Sequence, residues 1–326
     1  MTQNIWRESN IDDLEYYLKE NRDVKDYVLV KIFHNDNCIC TIEGNTKLKQ
    51  FKIKIENEDS QEVFQALKYT GSIPLRFTYT QSKTFSTISD KMTTDEGFIE
   101  WFNGLINKKR IFPDTNILLN RTFSTLEESL EKQFVNNSFE IPRLLILELE
   151  AQGNEKRDNN PSKDVSYLAG LKKRKALIGF SELLYLTSND AQPLGQLPID
   201  TLTDFNDIAG KGRTDAWTRY EIRERYFQIL RARSVPNFIF ITADMVNSLA
   251  ALAEGLDTIY ISQIPDWKNK ILSTNLKQIS RFLINLSILY TELTVSINSK
   301  KYNFKGFWNG ITTTDIINQQ IRVQEF

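Results

Sequence analysis

The sequence predicts an α/β protein, with a parallel sheet flanked by helices, preceded by an N-terminal α+β domain and followed by a short C-terminal α+β extension. Three observations predict it. After Arg110 short apolar runs alternate with long amphipathic segments, the pattern of strands joined by crossover helices. Before that point, strand-like runs follow one another closely, with amphipathic segments between them. The 326 residues also exceed what one hydrophobic core usually organises, so more than one unit is expected. The boundaries this reading draws are 1–107, 108–266 and 267–326.

In the first region, Asn10 is a helix cap before Ile11, Leu14, Tyr17 and Leu18, which share one face. Two strand runs, Tyr27 to Phe33 and Cys38 to Ile42, flank the turn His34-Asn35-Asp36-Asn37. A third run, Leu48 to Ile55, alternates Phe51, Ile53 and Ile55 with Lys52 and Lys54. Ser60 opens a helix through Val63, Phe64 and Leu67, and Ile73 to Tyr79 reads as a strand. Thr80 to Thr94 is Ser/Thr-rich and weakly apolar, which is linker composition. It ends in a capping-box pattern, Thr93-Thr94-Asp95-Glu96, ahead of Phe98, Phe102 and Ile106.

In the middle region the expected strands are Ile111-Phe112, Phe139 to Ile141, Phe238 to Thr242 and Thr258 to Ile261. The expected helices cover 124–134, 142–152, 163–186, 214–230 and 244–254. The extension reads as a helix from Leu276 to Leu286, a strand run from Leu289 to Ile297, and a tail with Phe304, Phe307 and Trp308.

Composition narrows the chemistry. A net charge of −1 supplies no global field for a polyanion, so any such site depends on local Lys and Arg clusters. The two cysteines, Cys38 and Cys40, are too sparse for a zinc site, and strand alternation would put them on one face. The single histidine, His34, falls in a polar turn, which leaves acid/base and metal chemistry to carboxylates and water. Met1 to Asn10 lacks the apolar core of a signal peptide and no apolar run reaches spanning length, so a cytoplasmic protein without a membrane partner is expected.

Open α/β sheets place their sites at the carboxyl ends of strands. Asp114 follows Ile111-Phe112-Pro113, Asp244 follows Phe238 to Thr242, and Asp215 opens the helix that begins Thr-Asp-Ala-Trp. Glu148 lies in the apolar run Leu144-Leu145-Ile146-Leu147-Glu148-Leu149, where a carboxylate is costly unless solvated, paired or bound to a cation. Taken singly, each Asp is more often a helix cap than a ligand, and Glu148 or Glu150 could face solvent. Taken together in one crevice, four carboxylates would repel one another strongly. Divalent cations relieve that repulsion, and an all-oxygen set suits Mg²⁺ or Mn²⁺. Such ions make a nucleophile from water near neutral pH without histidine.

At these residues the chain resembles the PIN-domain nuclease family. Phe112-Pro113-Asp114-Thr115-Asn116 resembles its first motif, and Ile141-Pro142 through Glu150 its second, with Glu148 ahead of Glu150 as the metal-facing acid. Thr214-Asp215-Ala216-Trp217 resembles the third motif and Ile241-Thr242-Ala243-Asp244 the fourth. The resemblance covers about half the chain, residues 108–266, and extends less closely to the larger stand-alone archaeal PIN proteins. It implies a Mg²⁺- or Mn²⁺-dependent endonuclease, usually acting on RNA, in which Thr115, Asn116 and Thr242 orient the carboxylates. It also implies a possible homo-oligomer or, in a toxin pair, an antitoxin partner. The long interval between the second and third motifs, the proline before Asp114 and the two flanking regions depart from the family pattern.

Basic residues bracket the proposed centre. Lys156 and Arg157 fall in a Gly/Asn-rich segment, and Arg219 and Arg223 share a helix face near Asp215. All four are candidates for substrate phosphate, although surface pairing with Glu221 and Glu224 explains Arg219 and Arg223 equally well. The competing expectations are a DNA flap or junction nuclease and a non-catalytic RNA-binding module. A phosphatase-like hydrolase would want Asp-x-Asp where this chain has Asp114-Thr115-Asn116.

Overall fold

The computed structural model describes residues 5–47, 50–56, 61–71, 73–107, 109–130, 139, 141, 145, 148, 149, 175, 176, 178–183, 185, 186, 238–263, 275–306 and 321–326. The chain divides into two compact units. One comprises Met1–Ile73, Ser166–Ser181 and Asp266–Phe326; the other comprises Pro74–Val165 and Glu182–Pro265.

The first unit is built on a seven-stranded sheet, ordered β1-β12-β11-β10-β2-β3-β4 and antiparallel at every pairing. β1 (Arg7–Ser9) leads into α1 (Ile11–Glu20). Asn10 and Asp13 close a reciprocal capping box there, which aims Leu14 and Leu18 into the core. β2 (Tyr27–His34) and β3 (Asn37–Asn45) turn through Asn35 and Asp36, whose φ of 48° and 63° is the left-handed pair a two-residue hairpin needs. β4 (Gln50–Ile55) pairs with β3, and α2 (Gln61–Lys68) follows.

A register shift separates the two cysteines. Ile32 pairs with Cys40 but Phe33 pairs with Cys38, so Ile39 is an extra residue in β3. The bulge reverses the alternation: Cys40 is buried in the core, while Cys38 lines the opposite face of the sheet. The expectation that both would share a face is corrected.

The C-terminal residues complete this sheet rather than forming an extension of their own. β10 (Glu292–Ile297) lies beside β2, β11 (Lys300–Gly306) follows it, and β12 (Ile321–Glu325) closes against β1. The helix of 276–290 runs past Leu289, which was expected to start a strand. Thirteen of its fifteen residues are buried, including Phe282, Leu283, Leu286 and Leu289, so it is the central helix of this core. β11 presses directly on its backbone at Gly306, where a Cβ would fall 2.5 Å from the Ser287 carbonyl oxygen. Phe304, expected in a loose tail, is fully buried in β11.

The second unit carries a five-stranded mixed sheet, ordered β6-β5-β9-β8-β7. β7 (Arg110–Pro113), β8 (Phe238–Thr242) and β9 (Thr258–Gln263) run parallel, whereas β5 (Leu75–Gln81) and β6 (Ser86–Met92) are antiparallel. Phe139 adds a parallel bridge to Ile111. The PIN-like parallel sheet expected from the sequence, with separate α+β regions on either side, is therefore corrected. The larger sheet is antiparallel throughout, and the smaller one is mixed. The misleading stretch was Thr80 to Thr94. It forms most of a hairpin with an exposed strand, and an edge strand needs few apolar residues.

α3 (Phe98–Ile106) starts at Gly97, whose φ is 72°, and not from a threonine capping box. Asp95 instead accepts from the Met92 amide and closes the turn after β6. Phe98 and Phe102 meet Phe77 of β5 edge-on, with ring centroids 5.1 and 5.3 Å away. α4 (Thr115–Leu119) and α5 (Thr122–Leu130) are separated by Arg121 at φ 50°. Residues 145, 148 and 149 are helical, and α6 (Met245–Ala253) follows β8. We call the long helix of the first unit α7 (Leu276–Tyr290). Among the described residues no helix is long and apolar enough to cross a membrane.

Candidate metal centre

β7 and β8 are parallel neighbours, and Asp114 continues the ladder by donating its amide to the Ile241 carbonyl, 2.8 Å away. Each strand therefore ends at the same level, and each hands over to a helix, α4 after Asp114 and α6 after Asp244. This geometry brings the first and fourth sequence motifs together.

Asp114 is 9% exposed and held from four directions. The Thr115 amide donates to its Oδ1 at 2.8 Å. Asn116 Nδ2, Thr242 Oγ1 and Asn247 Nδ2 donate to Oδ2 at 2.7, 2.6 and 2.8 Å. Asn116 also accepts from the Ala243 amide, and Thr242, itself fully buried, accepts from the Asp244 amide. Thr115, Asn116 and Thr242 therefore each donate a hydrogen bond to the Asp114 carboxylate. Asn247 was missed. It lies three residues after Asp244 in the first turn of α6, so its side chain turns back toward the strand end.

Glu148 reaches the same place from its helix and accepts a short hydrogen bond from Thr115 Oγ1. Thr115 therefore bridges the two acids, its amide on Asp114 and its hydroxyl on Glu148. Leu145 and Leu149 are buried on either side, which explains an acid at the edge of an apolar face. Burial lifts Glu148 to about 7, and the Asp114 charge adds to the rise against the Thr115 bond. Burial also raises Asp114, opposed by its bonds from Thr242, Asn247 and the Thr115 amide.

Asp244 lies near enough to Asp114 to add to its repulsion, but its own side chain caps α6, with Oδ1 accepting from the Val246 and Asn247 amides. Its role as a helix cap is realised here. Asp215, Arg219, Arg223, Lys156, Arg157 and Glu150 lie outside the described residues. Among the described residues no group of three acids, histidines or cysteines is arranged to hold a metal. The described centre is thus an acid pair, Asp114 and Glu148, with Asp244 flanking it.

The donor chemistry of that pair fits a hard cation. Among the described residues the polar groups bonded to it are hydroxyls and amides, and no Lys or Arg forms an ion pair with Asp114, Glu148 or Asp244. Mg²⁺ is commonly held by one or two carboxylates and otherwise keeps its waters, so two acids are a sufficient protein contribution. Comparison with models of protein families, with curated proteins and with solved structures gave no match.

Proposed function

We propose that the chain is a divalent-metal-dependent endonuclease that hydrolyses phosphodiester bonds, with RNA as substrate and Mg²⁺ or Mn²⁺ as the ion. The observation that carries this reading is the Asp114–Thr115–Glu148 bridge. Two acids share one donor residue, and burial with mutual repulsion holds Glu148 near neutrality. A bound divalent ion would remove that repulsion and supply a water acidic enough to attack phosphorus at neutral pH.

The chain's own residues divide the remaining work. Asn116, Thr242 and Asn247 hold the Asp114 carboxylate in one orientation. Glu148, with only Thr115 as described donor and a pKa near 7, can accept a proton in the working pH range. Asp244 and Asp215 belong to the proposal as further acids, together with Arg219, Arg223, Lys156 and Arg157 as phosphate contacts. The likeness to PIN-domain nucleases is proposed for these acid motifs and their chemistry alone. The cytoplasm is the proposed compartment, and a homo-oligomer or an antitoxin are the proposed protein partners.

The test is cleavage of matched RNA and DNA single strands and junctions, with Mn²⁺ or with chelator, by the wild type and Asp114→Asn. We expect Mn²⁺-dependent RNA cleavage that falls by about a thousandfold in the variant, the scale on which loss of a charge-stabilising group acts. Cleavage by Asp114→Asn at the wild-type rate would sink the reading. Turnover restricted to DNA junctions would move it to a flap-type nuclease, and RNA binding without turnover to a non-catalytic module.

A further inference from the structure

The first unit covers one face of its seven-stranded sheet with α1, α2 and α7, and leaves the other face polar. Pairing registers place residues on that open face in rows across the strands. One row reads Lys301 (β11), Ser296 (β10), Lys31 (β2), Thr41 (β3) and Lys54 (β4). Lysines alternate with hydroxyls, and with strands ~4.8 Å apart the ammonium stems stand roughly 10 Å from one another. Beside it Phe33 and Tyr27, both half-buried, present rings from the same side of β2.

The charge on this face is not balanced. Lys54 is held by both oxygens of Glu56 at 2.9 Å, Lys305 pairs with Glu292, and Arg322 with Glu8. Lys31, Lys52 and Lys301 are exposed and form no ion pair among the described residues. The remaining acid, Glu43, accepts from the Tyr27 hydroxyl. On β2, β3 and β4 a hollow of about 480 Å³ is lined by Lys31, Lys52 and Lys54 with Glu43 and Glu56, beside Phe33, Cys38 and Thr41, so its lysines outnumber its acids by one. In a chain of net charge −1, this face is a local positive surface.

We infer that this sheet face binds single-stranded nucleic acid, its phosphates at Lys301 and Lys31 and its bases against Phe33 and Tyr27. The inference rests on the nuclease reading for the identity of the polyanion. A single strand is assigned over a duplex because rings beside the cations can stack only on bases that are already unpaired. The row belongs to the first unit and is assigned substrate recruitment, while bond cleavage is assigned to the acid pair of the second.

The experiment is fluorescence anisotropy with a labelled oligouridylate and the full chain in EDTA, where no cleavage intrudes. The wild type is compared with Lys31→Gln/Lys301→Gln and with Phe33→Ala, all checked by circular dichroism for an unchanged melt. The double variant is expected to bind about tenfold or more weakly. Its slope of log affinity against log salt should be shallower by about 1.4, since each neutralised phosphate contributes ~0.7 for single strands. Phe33→Ala should weaken binding without changing that slope. With Mn²⁺ restored, the double variant should show a raised KM and an unaltered kcat. An unchanged binding curve in the double variant, equal affinity for a matched duplex, or capture of polyglutamate in preference to RNA would each overturn the assignment. Failure of the nuclease reading is distinguishable: a chain that binds in EDTA through these lysines but never cuts keeps this surface and loses the metal centre.

Discussion

Two glutamates of the second unit, the buried Glu182 and the half-buried Glu148, are solved in opposite ways. Glu182 is 1% exposed and met by donors on both oxygens: the Phe123 and Ser124 amides at 2.9 and 3.1 Å on Oε1, and the Ser124 hydroxyl on Oε2. It caps the start of α5 as a remote residue would, with the Arg121 charge nearby. Glu148 is less buried, has one donor among the described residues, and lies beside another acid. Burial raises both, but every other influence on Glu182 lowers it, whereas the neighbour of Glu148 raises it further. A buried carboxylate surrounded by donors is a structural element. One with a single donor among the described residues, beside a like charge, is the acid for which a cation is proposed.

The contrast breaks most sharply at Glu182. Glu182→Ala leaves two helix-start amides and the Ser124 hydroxyl without their acceptor, while the buried Arg121 keeps its ion pair with Glu128, a loss on the order of 3 kcal/mol. Urea unfolding should show it. Mn²⁺-dependent turnover per folded molecule should be unchanged under conditions where the variant still folds. The distinction fails if the variant is as stable as wild type yet inactive.

Glu148 should do the reverse, and pH exposes it. Its folded pKa of about 7 is raised above the ordinary 4.5, so the folded state holds the proton more tightly than the unfolded chain. The associated stability is complete below about pH 4.5 and is lost as pH rises through 7, a change on the order of 2–3 kcal/mol. In chelator, the wild-type melting temperature should fall across that window relative to Glu148→Gln, which carries no titrating group there. Mn²⁺ should then restore the wild type at pH 8 and leave the variant nearly unmoved. A wild type and variant that fall in parallel would show that Glu148 is not the strained acid. Glu182, which burial also raises, acts equally in both proteins and cancels from the difference, whereas Asp114 is coupled to Glu148 and titrates more easily in the variant.

The sequence made the acid pair legible because its signals are local. Asp114 ends a strand before Thr-Asn, and Glu148 interrupts an apolar helical face. Glu182 carries the second signal too, between Ile178 and Leu186, but composition cannot distinguish an acid destined for amides from one destined for a cation. The sheets were less legible. Which strands pair depends on contacts between residues hundreds apart, such as Ile297 with Val30, and nothing in the local pattern of 292–306 announces that partner. The edge strand Ser86–Met92 hid because its exposed residues need no apolar alternation. Cys38 and Cys40 were misplaced by one bulged residue, which reverses a face without altering the sequence pattern.

Asn247 gives the finest discrimination between a centre organised around Asp114 and a pair of strand-end caps. Its Nδ2 donates to Asp114 Oδ2 at 2.8 Å, while its amide is capped by Asp244. Asn247→Ala removes the first bond and keeps the second, because the amide is untouched. If the hydrogen bond only trims stability, the cost is about 1 kcal/mol and turnover at saturating Mn²⁺ is normal. If it aims the carboxylate at an ion, Mn²⁺ affinity should fall by about tenfold, with kcat recovering as Mn²⁺ is raised. Asn247→Asp sharpens the outcome, since a third carboxylate beside Asp114 adds charge where the cation is proposed to sit. It should lower stability in chelator and gain more from Mn²⁺ than the wild type does. A variant that gains from Mn²⁺ only as much as the wild type does would place the ion away from Asp114 and Asn247.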